Sequence, residues 1–399
     1  MPIYHTLGSI PRKRHTVFRK PDGENIYYEH LMGTYGFSGP ASLLYRDGLP
    51  TEIKAQRELM TLTWRPDPDQ TLRMRHFRLN NVPNGGSMTL NRMPVAFNSD
   101  VAITLAAPDR NDDFFYRNGQ GDEIVYVSEG EGVLESEYGT LPYRTGDYVI
   151  IHRGITHRWK MNLDHKQRFL ITESRDYVKT PERYRTQWGQ FMEHSPFCER
   201  DIKRPSELIT HTERGDFPVV IKKNNALHEV IFAHHPFDVV GWDGHYYPWA
   251  LNIEDFEPIT GSLHQPPPVH QHLEAGGFVM CSFVQREFDY HPEAIPAPYN
   301  HMNVMSDEIL YYANDEFMSR KGIEYGSMTL HPIGLTHGPQ PGKYEGSVGA
   351  ERTEELAVMI DTFAPLTVSE SVLSVEDESY QKSWLTDGDP SGEVKVPKQ

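Results

Sequence analysis

Cysteine is nearly absent from this chain: Cys198 and Cys281 are the two thiols in 399 residues. Two thiols cannot form a disulfide framework for a chain of this length, so a reducing, cytoplasmic compartment is expected. Long apolar runs are missing too. No stretch of about 18 apolar residues occurs, so no membrane-spanning helix is expected. Met1 to Lys20 carries Lys and Arg without the apolar centre of a secretory leader, and no such leader is expected. Positive charge is in deficit, with 39 Lys and Arg against 56 Asp and Glu and a formal charge of −17. Nucleic acids and anionic membranes attract basic surfaces, so neither is an expected partner.

Turn formers are abundant. Thirty prolines and 31 glycines are spread along the chain, which fits short strands joined by many turns. The sequence also echoes itself. Gly121-Asp122-Glu123-Ile124-Val125-Tyr126-Val127 resembles Ser306-Asp307-Glu308-Ile309-Leu310-Tyr311-Tyr312, at an offset of 185. Gly154-Ile155-Thr156-His157 resembles Gly334-Leu335-Thr336-His337, at an offset of 180. Two matches in the same order and at nearly the same offset imply a duplicated domain with a small insertion or deletion between them.

Within a copy the pattern is strand-like. Glu123 to Val127 is an apolar run, Gly130-Glu131-Gly132 a turn, and Val133 to Glu137 alternates. Thr145-Gly146-Asp147 turns again before Tyr148 to Ile151. The expected fold is mostly β: a bicupin, with two jelly-roll barrels, an N-terminal extension and a connector. The expected divisions are an extension over 1–60, a first barrel without metal over 61–180 and a connector over 181–240. A second, catalytic barrel over 241–384 and a flexible tail over 385–399 complete the chain.

The chemistry concentrates between Pro298 and Pro339. His301, Glu308 and His337 supply two imidazoles and a carboxylate. Such a set caps one face of Fe(II), Mn(II) or Zn(II) and leaves the other face open. Asp307 is the alternative carboxylate. Neighbouring strand residues point to opposite faces, so only one of the pair can reach the metal. In the first copy, Tyr116 stands seven residues before Glu123, where a histidine would be needed. That copy is therefore expected to be structural, with His157 as a hydrogen-bonded mouth residue. A further set spans His264 to Glu274. His270-x-His272 is too close to Glu274 to be a jelly-roll ligand set, and Pro266 to Pro268 impose an extended or turning backbone. This stretch reads as a loop over the barrel mouth that supplies a histidine base, with His272 an exposed loop residue.

Taken together, these residues resemble the homogentisate 1,2-dioxygenase family. The resemblance covers most of the chain. It includes Asp238 to Gly244, Tyr247-Pro248-Trp249 and Asn252. It continues through Pro298-Tyr299-Asn300-His301, Ser327 to His331 and Thr336 to Pro339, and closes on Asp377 to Trp384. The resemblance implies Fe(II) held by His301, Glu308 and His337. It implies His264 as catalytic base, with His270 as alternative, and substrate contacts from Tyr299, His331, Tyr311 and His337. It further implies a small aromatic acid and O2 as substrates, cleavage of homogentisate to maleylacetoacetate, and a homo-oligomer (trimer or hexamer). Two departures stand out. Better-known members place the ligand glutamate where this chain has Asp307. Asn314-Asp315-Glu316-Phe317 also stands where some members carry a substrate-binding tyrosine, a hydroxyl that Tyr311 or Tyr312 could replace. A related para-dihydroxy acid such as gentisate, or a non-catalytic metal-binding bicupin, is the alternative.

Overall fold

The structure is a computed structural model, and it describes residues 3–264 and 270–385. The proline run Pro266–Pro268 and positions 386–399 of the expected tail lie outside the described residues. The architecture is mostly β. Its α-helix, among the described residues, is the single turn Lys343–Gly346, and none of their helices is long and apolar enough to cross a membrane.

The duplication read from sequence is a duplication of strand order. In the N-terminal half, six strands lie side by side as Trp249–Asn252, Asp147–Ile151, Asp122–Glu129, Arg168–Ser174, Val101–Ala106 and Met93–Phe97. In the C-terminal half the order is Arg75–Arg78, Ser327–His331, Asp307–Tyr312, Ala357–Thr362, Phe278–Phe283 and Gln271–Ala275. The two orders correspond position by position. Asp122–Glu129 and Asp307–Tyr312 are central and covered on both faces, which is why they read as apolar runs without clean alternation.

Each sheet borrows from the other half, and Thr367–Val368 adds a seventh strand to the N-terminal sheet beside Met93–Phe97. Arg75–Arg78 lies within the expected first barrel but pairs with Ser327–His331. Trp249–Asn252 lies within the expected second barrel but pairs with Asp147–Ile151. The boundaries at 60, 180 and 240 are likewise crossed by pairing. Ile53–Thr61, Arg214–Lys223 and Ala226–His234 complete a seven-stranded sheet with Phe115–Asn118, His157–Met161, Glu131–Ser136 and Gly139–Arg144. Of the expected connector, the part that precedes Arg214 holds one short 3-10 turn, Glu182–Tyr184, and no strand among the described residues. The extension is also folded: His5–Gly8, Tyr28–Gly33 and Ala41–Arg46 form a sheet with Val239–Gly244.

The two corresponding sheets pack face to face. Tyr126 lies edge-on to Tyr311 at 6.0 Å, and the Tyr311 hydroxyl is 2.6 Å from Ser128 Oγ. Tyr148 packs on His272 at 4.4 Å and bonds Ser282 Oγ at 2.8 Å. His272 is therefore a buried residue between the halves, not an exposed loop histidine. This packing fixes which side of Asp307–Tyr312 is available for chemistry. Asp307, Ile309 and Tyr311 face the N-terminal half; Glu308, Leu310 and Tyr312 face away.

Candidate metal centre and cavity

His301 and His337 reach one point from different loops. A two-hydrogen-bond β-bridge latches those loops: His301 N to His337 O at 2.8 Å and His337 N to His301 O at 2.9 Å. Gly338 permits the close approach, because a Cβ there would meet Asn300 Oδ1 at 2.1 Å. Each imidazole then turns the same way. His301 Nδ1 donates to the Tyr299 carbonyl at 3.0 Å, and His337 Nδ1 to the Leu335 carbonyl at 3.3 Å. A carbonyl only accepts, so both protons sit on Nδ1 and both Nε2 lone pairs are presented inward. Those nitrogens lie 3.5 Å and 3.4 Å from Glu308 Oε2. One ligand atom from each of the three residues falls within 4.8 Å of the others. His337 Nε2 is buried and has no hydrogen-bond partner.

The neighbouring carboxylate is placed elsewhere. Asp307 accepts the backbone N–H of Ile333 at 2.7 Å and of Leu366 at 2.6 Å, on the face opposite Glu308. It ties two loops to the strand and does not join the cluster.

Of the four residues expected to touch substrate, Tyr299 lines the cavity, while Tyr311, His331 and His337 do not. Tyr311 is on the wrong face of its strand, bonded to Ser128. His331 is fully buried behind the cluster, with Nδ1 2.7 Å from Glu308 Oε1 and Nε2 3.2 Å from the Tyr380 hydroxyl. It buttresses the carboxylate. Tyr312 faces the correct side, but its hydroxyl bonds Thr329 Oγ1 at 3.0 Å and it too is fully buried.

A cavity of ≈300 Å³ opens beside His301 and Glu308. That is at the small end of ligand sites, about 300–1,000 Å³, and suits one ring with short substituents. Tyr299, His264 and His270 all line it. His264 is on the rim, edge-on to Tyr299 at 5.4 Å, with Nδ1 3.8 Å from Asp289 Oδ2. That distance exceeds a hydrogen bond. His270 is buried and stacked on Phe283 at 5.5 Å. Burial, with the Arg286 charge adding to it, pushes His270 down to about 3. His270 therefore stays neutral and is a weak base.

Asp361 was not anticipated. It sits directly across from Glu308 on the next strand and lines the cavity. Burial, then the charge of Glu308, pushes it up to about 7. Burial works against the charge on Glu308 as well, yet the imidazoles of His301, His331 and His337 gathered around it hold it well below the usual carboxylate range. A signal for Asp361 existed: Val358-Met359-Ile360-Asp361-Thr362 repeats Leu170-Ile171-Thr172-Glu173-Ser174.

The N-terminal half provides an internal control. Glu123 and Glu173 are cross-strand partners there, as Glu308 and Asp361 are here. Arg92 clamps Glu123 with both terminal nitrogens, at 2.7 Å and 3.1 Å, and Lys222 Nζ lies 2.6 Å from Glu173. Tyr116 adds a hydroxyl to Glu123 at 3.1 Å. Two carboxylates face two protein cations. In the C-terminal half no Lys or Arg among the described residues pairs with either carboxylate. Buried acids without a cation call for one from outside. His157, expected as a hydrogen-bonded mouth residue, is buried; its Nδ1 donates to the Ile155 carbonyl, and its Nε2 has no partner.

Residues 76–253 match the N-terminal domain of homogentisate 1,2-dioxygenase. A protein of Saccharolobus solfataricus, described as a candidate dioxygenase, is 39% identical over 97% of this chain and 100% of its own length. The chain belongs to the homogentisate dioxygenase family. Within that family, homogentisate 1,2-dioxygenase of Bradyrhizobium diazoefficiens is 26% identical over 71% of this chain and 65% of its own. The Emericella nidulans enzyme is 24% identical over 81% and 74%. Among solved structures, a cupin barrel protein of Leptotrichia buccalis covers 73% of this chain and 98% of its own, at 9% identity and a TM-score of 0.36.

Proposed function

We propose that this chain is an Fe(II)-dependent ring-cleaving dioxygenase. Its leading substrate is homogentisate, opened to maleylacetoacetate with both atoms of O2 incorporated, in tyrosine and phenylalanine breakdown. The observation that carries the reading is the pair of buried acids, Glu308 and Asp361, with two inward imidazole nitrogens and no Lys or Arg among the described residues paired with either acid, beside a ring-sized cavity. The donor set fits Fe(II), and His301, Glu308 and His337 would hold it. When bound, the ion would supply open coordination positions and a redox path between the ring and dioxygen.

The residues of this chain do the rest. Tyr299 and the apolar wall that includes Phe283 and Phe317 hold the ring and exclude water. His264 takes the proton of a ring hydroxyl, with Asp289 3.8 Å from its Nδ1. His270 is the poorer base because its burial keeps it neutral. His331 holds Glu308 in place from behind.

One observation supports a second substrate. Phe317 lines the cavity at the matching stretch where some relatives carry a tyrosine hydroxyl, which suits another para-dihydroxy acid such as gentisate. Anaerobic Fe(II) loading followed by oxygen uptake with homogentisate and with gentisate tests both readings. Failure to bind iron would instead favour a non-catalytic bicupin. Assembly as a trimer or hexamer is carried over from the family resemblance, and light scattering on the purified chain checks it.

A further inference from the structure

Two guanidinium groups line the cavity, and their surroundings differ. Arg286 is neutralised: its Nη2 is 3.0 Å from Glu355 Oε1, and it lies over Phe283 and Phe288. Arg320 is only 6% exposed and has no carboxylate in ion-pair reach among the described residues. Its Nη1 donates to the Gly338 carbonyl at 2.8 Å, and to the Ser319 carbonyl and hydroxyl at 3.3 Å and 3.2 Å. Trp384 covers the group at 5.6 Å. Its Nε is buried without a hydrogen-bond partner. Tyr380 bonds the group and the charge of Glu308 reaches it only across the cavity, so a guanidinium that cannot shed its proton is left without a carboxylate in direct contact.

We infer that Arg320 is the anchor for a carboxylate carried by the ring substrate, and so the residue that selects aromatic acids over neutral rings. This rests on the reading of the cavity as a ring-cleavage site. Arg320 lines the same small cavity as His301 and Glu308. One ring can therefore present a hydroxyl to the cluster and a carboxylate to Arg320. The planar fork of Arg suits a carboxylate, and its Nη1 is already held in place by the loop that carries His337. The other acids around the cavity, Glu287, Asp289 and Asp361, would repel an anionic substrate without such a group. The cavity thus admits an acid by one buried charge.

The test compares wild type with Arg320→Gln and Arg320→Lys. Calorimetry in the absence of oxygen reads the binding of phenylacetate, an acid, and of hydroquinone, a neutral ring, to iron-loaded protein. Arg320→Gln should weaken phenylacetate by about 10- to 100-fold, the range for a lost charged hydrogen bond, and hydroquinone by no more than about twofold. Arg320→Lys should recover part of the loss, with iron content unchanged in both. Equal weakening of both rings, or loss of iron, would make Arg320 a peg for the Gly338 loop and overturn the inference. An unchanged affinity for phenylacetate would also overturn it. If wild type binds neither ring, the reading of the cavity fails and the inference falls with it.

Discussion

His301, Glu308 and His337 have separable jobs from their neighbours, and single substitutions should show it. His337→Ala removes a nitrogen that nothing replaces, so iron content by atomic emission should fall to background and oxygen uptake with it. His264→Ala should retain iron and slow turnover by about 10²- to 10⁴-fold, the usual worth of a positioned base. The reverse pattern, iron lost in the His264 variant and kept in the His337 variant, would refute the assignment. Adjacent acids should differ just as sharply. Glu308→Gln should abolish iron binding. Asp307→Asn should keep iron but lower stability by about 1–3 kcal/mol in urea unfolding, because Asp307 holds the N–H groups of Ile333 and Leu366. Iron loss in Asp307→Asn with normal stability would reverse the roles of the pair.

At the scale of elements, the two corresponding sheets solve one electrostatic problem in two ways. Burial alone would raise Glu123, but the Arg92 charge and hydrogen bonds hold it down to about 2. A carboxyl depressed on folding stabilises fully above its unfolded value, about 4.5, and that contribution is lost as pH falls towards 2. Arg92→Met should therefore cost about 3–5 kcal/mol near neutral pH, since it leaves a buried charge unpaired. It should also flatten the acid side of the stability curve, read as urea midpoints between about pH 5 and 2. An unchanged midpoint would mean that the clamp on Glu123 is not what stabilises the first barrel. The duplicated strands were legible because Glu123 and Glu308 head apolar runs of the same pattern. The borrowed strands were not. Arg75–Arg78 and Trp249–Asn252 are four residues each, and nothing local in so short a segment says which sheet it joins. That choice is made by burial: Phe77 and Trp249 are both fully covered once paired.

At the scale of the whole molecule, the exchange of Arg75–Arg78 and Trp249–Asn252 makes the halves interdependent. Face-to-face packing through Tyr126, Tyr148, His272 and Tyr311 adds to this. The chain should unfold in one calorimetric transition, and fragments cut at 240 should fail to fold when expressed alone. Two resolved transitions, or a soluble folded C-terminal fragment, would contradict the mutual dependence of the sheets.

Residue chemistry and spacing by themselves determined that this chain is a duplicated, mostly β protein. They also located one histidine–carboxylate–histidine set in its second copy. The reason is that strand periodicity and ligand type are local properties, written in contiguous residues. Tertiary structure alone decided which face of Asp307–Tyr312 meets the cavity, because that depends on the N-terminal sheet packed against the other side. It also moved His331 and Tyr311 out of substrate reach and brought in Asp361 and Arg320. These two come from distant segments, and their meaning lies in the counter-charges that the fold places, or does not place, beside them.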